Sequence, residues 1–152
     1  MWIVTAFTYF VNNSFIKYVP GNFEDNYLLV NSTDVLAAMV AGLVYYYFDN
    51  PRLLFFTNSA IAALAGACLL FLVDEENPGW TVPLYVSVNR AGIIANFTVL
   101  DMAHPNLLPT LFVATSMGIS NGMARLVVIL APVIAEAASP IPQALITSLL
   151  II

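Results

Sequence analysis

Five apolar runs, each of about 20 residues and set apart by short polar turns, leave this chain few ways to fold. They lie at roughly 2–19, 30–48, 53–73, 81–103 and 110–135. Where no water reaches the backbone, every N–H and C=O must be satisfied within the chain, so runs of this length close their hydrogen bonds as helices. Charge is scarce as well: 61% of the 152 residues are hydrophobic and 9% are charged, outside the balance of an ordinary soluble domain. The expected fold is all-α, a polytopic membrane helical bundle of antiparallel neighbours, with a multi-pass membrane location.

The gaps between the runs carry turn chemistry. Pro20-Gly21-Asn22 with Glu24 and Asp25 closes the first run, and Asp49-Asn50-Pro51-Arg52 puts a capping Asn before a Pro at the start of the third. Asp74-Glu75-Glu76-Asn77-Pro78-Gly79 is a clear turn. Pro105 and Pro109 break the chain before the fifth run, and Ser139, Pro140 and Pro142 break it after. The final run, 141–152, is only about 18 Å long as a helix, against a hydrocarbon core of about 30 Å. A chain end there would sit in hydrocarbon at a high desolvation cost, so a fragment of a longer protein is expected: five complete transmembrane helices and a truncated sixth.

Several classes fall away on composition. The formal net charge is -5 and there is no basic block, which leaves nucleic acid without a binding surface. Cys68 is the single cysteine and forms no intrachain disulfide; it reads as a small core residue. Residues 1–19 lack a basic lead-in, and Asn12 and Asn13 interrupt their apolar character, unlike a cleaved signal peptide. With Arg90 and Arg125 inside runs, only Lys17 and Arg52 remain for the turns, so orientation is undetermined. Asn31-Ser32-Thr33 is a glycosylation sequon beside an acidic gap. No metal-ligand cluster or cofactor signature is present.

The polar residues inside the runs carry the functional signal. In the fifth run Ala114, Gly118 and Gly122 recur every four residues, a helix-packing stripe, with Asn121 and Arg125 on the same side. A mid-helix cation costs about 2.5–3.5 kcal/mol on insertion scales, so Arg125 should face a wet cavity or an acidic partner. In the fourth run Arg90, Ile94, Phe97 and Asp101 share a face, with Asn89 and Asn96 beside it. Asp34 begins a face continued by Ala38, Ala41, Gly42 and Tyr45, and the first run aligns Thr5, Tyr9 and Asn12. Such faces on several helices suggest a bundle around a water-accessible path; interhelical hydrogen bonds without a path are the alternative.

Gly118-Ile119-Ser120-Asn121-Gly122 matches the G-x-S-x-G turn of hydrolases, but it has no preceding strand. The sole histidine, His104, falls in a connecting loop upstream, so a serine nucleophile lacks a placed base and no enzymatic activity is expected.

The run from Leu107 to Pro132 resembles the tenth-loop and eleventh-helix signature of major facilitator superfamily transporters, especially the organic-ion and sugar transporter-like branch. Pro109, Thr110, Ala114, Thr115, Gly118, Ala124, Arg125, Ala131 and Pro132 match in register. Asn89-Arg90-Ala91-Gly92 with Phe97 looks like the pattern of the tenth helix, Asp34 stands where the branch often has a Glu in the eighth, and Trp2 and Tyr9 suit the seventh. The resemblance implies that residues 1–152 are the C-terminal transmembrane domain, the second six-helix half of a twelve-helix transporter with its substrate between the halves. It also puts the turns around 49–52 and 104–109 on the cytosolic side. The family's gate is altered: Asn106 occupies the place of its Glu and Val113 that of its Arg, and the loop between helices eight and nine is reduced to Asp49-Asn50-Pro51-Arg52.

The function this implies is transport of a small organic solute, charged or neutral, by alternating access, with no cofactor. Arg125, Arg90 and Asp34 are the leading substrate or coupling residues, and Asn121, Asn89, Asn96 and Tyr9 are candidate lining residues. Asp49, Arg52, Asn106, Pro109 and Thr110 are candidate gating residues. The expected partners are the lipid bilayer and a missing N-terminal helical half or a partner subunit. The alternative is a transport-inactive, membrane-embedded structural or interaction subunit of the same fold.

Overall fold

A computed structural model describes residues 1–16, 19, 22–48, 50–72 and 81–135. Asp49, the acidic turn at 74–79 and the run 141–152 lie outside the described residues. What is described is helical: α1 (Trp2–Phe15), α2 (Phe23–Phe48), α3 (Pro51–Leu72), α4 (Thr81–Leu107), α5 (Thr110–Val128) and the short α6 (Ala131–Ala135). Three helical stretches, Glu24–Phe48, Pro51–Leu69 and Thr110–Val133, are long and apolar enough to cross a membrane.

Helix ends follow local chemistry. At α3, Asn50 accepts the backbone N–H of Leu53 at 3.3 Å, and Pro51, which has no N–H to waste, fills the first helical position. α2 starts seven residues before the expected 30, because Glu24 and Asp25 are not loop residues but first-turn acids facing the positive end of the helix. The sequon at Asn31 therefore lies within a helix, and Asn31 donates to the Tyr27 carbonyl at 2.8 Å. α4 continues through Pro105 to Leu107. The break comes at Leu108, which precedes Pro109 and is thereby pushed out of the helical region, while Pro109 itself is extended at φ -58°, ψ 141°.

The fifth run is one continuous helix only as far as Val128, and a turn at 129–130 separates α5 from α6. Pro132 supplies the reason. It cannot donate to the carbonyl of Val128, four residues earlier, and its ring crowds that carbonyl; Leu130 instead bonds Val127 in a tighter turn at 3.1 Å.

The packing order departs from a simple row of antiparallel neighbours. α2 and α3, adjacent in sequence, both lean on α4 rather than mainly on each other, and α1 packs on α4, α5 and α6. One apolar cluster joins Phe7 and Val11 of α1 to Ala62, Ile93 and Ala131; a second joins Tyr45, Leu54, Val99 and Ala103. The α3–α4 contact is made possible by Gly92. A Cβ there would lie 2.8 Å from Ala62 Cβ and 2.9 Å from the Asn58 carbonyl oxygen, both too close to accept. Gly118 and Gly122 of α5 differ, for a Cβ on either meets nothing within 4 Å. The two glycines of the α5 stripe thus make no close helix contact among the described residues.

These contrasts make a paired prediction for thermal unfolding in detergent. Gly92→Ala should lower stability by about 1–3 kcal/mol, as overpacking does, whereas Gly118→Ala should stay within about 1 kcal/mol of the parent. Equal melting of Gly92→Ala and the parent would refute the close α3–α4 approach.

Candidate functional site

The two arginines that the sequence places inside apolar runs meet different fates. Arg90, on the inner face of α4, is 1% exposed. Its Nε donates to both carboxylate oxygens of Asp34, at 3.1 and 2.9 Å, and Nη2 approaches Oδ2 at 2.8 Å, so the guanidinium edge grips the carboxylate side-on. Nη1 donates to Asn13 Oδ1 at 2.8 Å, and Nη2 also reaches the Tyr9 hydroxyl at 3.1 Å and Asn31 Oδ1 at 3.4 Å. The guanidinium carbon lies 4.8 Å from the centre of the Tyr9 ring, within cation–π range. One side chain of α4 is thereby tied to Tyr9 and Asn13 of α1 and to Asn31 and Asp34 of α2.

The buried asparagines form a second set of ties. Asn12 donates to Asn89 Oδ1, and Asn89 donates to the Ala62 carbonyl at 2.6 Å, linking α1, α4 and α3. Asn96 donates to Ser59 Oγ at 2.8 Å. The carbonyl oxygens of Asn12 and Asn96 are buried and accept no hydrogen bond among the described residues, an arrangement that costs about 1–3 kcal/mol for each group left dry. Thr5 and Thr8 of α1 are buried without cost because each hydroxyl bonds a carbonyl of its own helix, three or four residues back.

Arg125 lies in the open. α1, α4 and α5 enclose a crevice of about 800 Å³, and Arg125 lines it with Asn121, Asp101 and Tyr9. Among the described residues Arg125 has no ion-pair or hydrogen-bond partner. Its opposite wall is aromatic: Trp2 meets Phe97 edge-on at 6.1 Å, and Phe97 meets Tyr9 at 5.8 Å and 89°. α5 presents Ala114, Met117, Gly118, Asn121, Ala124, Arg125 and Val128 to this crevice, at helical spacings of three and four. Its other side carries Phe112, Ile119 and Leu126, all more than 60% exposed, so α5 has one face that bears Asn121 and Arg125 and an outer side of exposed apolar residues.

The candidate residues therefore separate into two groups. Arg125, Asn121 and Tyr9 line the crevice; Arg90, Asp34, Asn89 and Asn96 serve interhelical bonds behind it. Tyr9 belongs to both, with its ring on the crevice and its hydroxyl on Arg90. Of the gate candidates, Arg52 is exposed in the first turn of α3, Thr110 opens α5 after Pro109, and Asn106 stands in the last turn of α4, not in a loop. Asn106 donates to the Tyr45 hydroxyl of α2 at 3.1 Å.

His104 is also helical rather than looped. It bridges Trp2, whose indole N–H reaches Nδ1 at 3.4 Å, and Ser116, whose hydroxyl lies 3.1 Å from Nε2. An indole N–H only donates, so in this arrangement Nδ1 is the acceptor and Nε2 is the nitrogen that faces the serine. Ser120, the serine of the G-x-S-x-G match, sits one turn further along α5. Among the described residues no three His, Cys, Asp or Glu side chains gather as a metal site. No protein-family model matches the chain, and no curated protein matches it.

The Arg90–Asp34 pair predicts a specific pattern of stabilities. Arg90→Leu leaves a buried carboxylate unpaired and should cost about 3–5 kcal/mol, and Arg90→Leu with Asp34→Leu should cost less than Arg90→Leu alone. Additive losses in a double-mutant cycle followed by chemical denaturation would show the pair to be uncoupled.

Proposed function

We propose that this chain is a multi-pass membrane domain that forms one wall of a solute-transport path, equivalent to the C-terminal half of a major facilitator-type transporter working by alternating access. The crevice between α1, α4 and α5 carries the reading. It combines a cation with no partner among the described residues, an amide, a carboxylate and an aromatic wall, the mix of apolar lining and a few convergent polar groups that small-molecule sites use. The resemblance around Pro109 to Pro132 points the same way, since it runs along the helix that supplies Arg125.

In this reading Arg125 and Asn121 meet the polar part of the solute, and Trp2, Tyr9 and Phe97 meet its apolar part. Arg90 and Asp34 act by positioning: Arg90 holds Tyr9 against the crevice, and neither side chain lines it. The polytopic arrangement, with five helices crossing and the second half of the path supplied by a further helical domain or partner, belongs to the same proposal. So does the cytosolic placement of the α2–α3 and α4–α5 turns. Arg52 and Leu107 line a common cavity, so these two turns lie at one end of the bundle, as that placement requires.

The test is uptake of labelled organic solutes into cells or vesicles carrying the chain with its natural flanking sequence. Arg125→Leu should reduce transport at least about tenfold, the loss of roughly 1.4 kcal/mol or more of binding. Folding should be preserved, because the side chain is exposed and unbonded. A well-folded Arg125→Leu protein with unchanged uptake would refute the assignment, and favour a membrane-embedded structural subunit.

A further inference from the structure

A second cavity, of about 710 Å³, shares no lining residue with the transport crevice. It is a groove between α3 and α4, with Phe55, Phe56, Ala60 and Ala63 on one side and Ala103 and Leu107 on the other. From residue 51 to residue 63 it follows α3 for about 18 Å, at 1.5 Å per residue. Small alanines form much of the floor. Phe56, 72% exposed, stands at the edge, so the groove opens sideways, toward the surroundings of the bundle rather than its interior. Met1 also borders it, and the one charged side chain among its lining residues is Arg52, at the end where α3 begins.

We propose that this groove holds one acyl chain of an anionic phospholipid, with the phosphate against Arg52. The inference rests on the membrane reading above, but not on the transport crevice. Length, shape and apolar lining suit an alkyl chain lying along α3. The charge is where a headgroup would sit, since Arg52 is in the first turn of a helix apolar enough to span, at the polar end of that span. Among the described residues Arg52 has no acidic partner, which leaves its guanidinium free to take two phosphate oxygens side by side. A zwitterionic lipid would fill the groove equally well but would bring a second cation toward the arginine. Selectivity for net negative charge follows.

The experiment is native mass spectrometry of the full chain, extracted from membranes in a mild detergent and titrated with phosphatidylglycerol or phosphatidylcholine of matched acyl length. One phosphatidylglycerol should bind per chain, preferred over phosphatidylcholine by about fivefold, the factor one basic residue supplies at an anionic membrane surface. Arg52→Gln, an exposed substitution, should bring the two lipids to parity. Ala60→Phe, which fills the groove, should weaken both. Equal binding of the two lipids by the parent chain, or a preference that survives Arg52→Gln, would overturn the proposal. Loss of preference in Arg52→Gln with no effect of Ala60→Phe would overturn the groove as the acyl site. Palmitate bound with the same dependence on Arg52, in place of phosphatidylglycerol, would overturn the phospholipid in favour of a free acid. Release of the chain from membranes by alkaline carbonate, before any lipid is added, would instead refute the membrane reading.

Discussion

The ion pair between Arg90 and Asp34 is the constraint around which the bundle is arranged. A guanidinium that is 1% exposed among apolar helices is tolerable only with its charge neutralised and its donors engaged. Asp34 answers the charge, Asn13 accepts from Nη1, and Tyr9 and Asn31 share the other hydrogen of Nη2. These partners come from two helices, so satisfying one side chain fixes the relation of α1 and α2 to α4. Such bonds have direction, unlike apolar contacts, which leave helices free to slide or rotate. The Asn12–Asn89–Ala62 relay adds α3 to the same centre. α4 is therefore the axis of the fold, although neighbours in sequence are not its only partners.

The proposed function grows from what this pin leaves over. Tyr9 is held by Arg90 through its hydroxyl, and its ring then forms part of the crevice wall with Phe97 and Trp2. α5 lies across α1 and meets α4 only lightly, so a space opens between the three helices, and Arg125 projects along it. The two arginines thus divide the work. Arg90 has its acid within reach and is spent on structure, while Arg125 has none among the described residues.

Much of this was legible in the amino-acid sequence, with a consistent boundary to what was not. Long apolar runs and the Asn50-Pro51 start of α3 were readable because they depend on residues close in the chain. The crevice face of α5 was readable for the same reason: Gly118, Asn121 and Arg125 share a side by helical period alone. The extension of α2 back to Phe23 was hidden because Glu24 and Asp25 suit a polar turn and a helix N-terminus equally well. The break after Val128 was readable in principle, since Pro132 must disturb the carbonyl four residues before it. Pairings across the chain were out of reach. Nothing local says that Arg90 finds Asp34 56 positions away, that Asn89 reaches Ala62, or that Gly92, rather than Gly118 or Gly122, is where two helices approach most closely.

The central claim is that α5 turns a water-accessible face toward α1 and α4 and an apolar face outward. Single cysteines placed along α5 in a Cys68→Ser background, probed with a charged thiol reagent in permeabilised membranes, test it directly, because a thiol must be hydrated to ionise and attack the reagent. Cysteines at Gly118, Asn121 and Arg125 should react, and those at Ile119 and Leu126 should be protected. Uniform protection, uniform reaction or the reverse pattern around the helix would contradict the account.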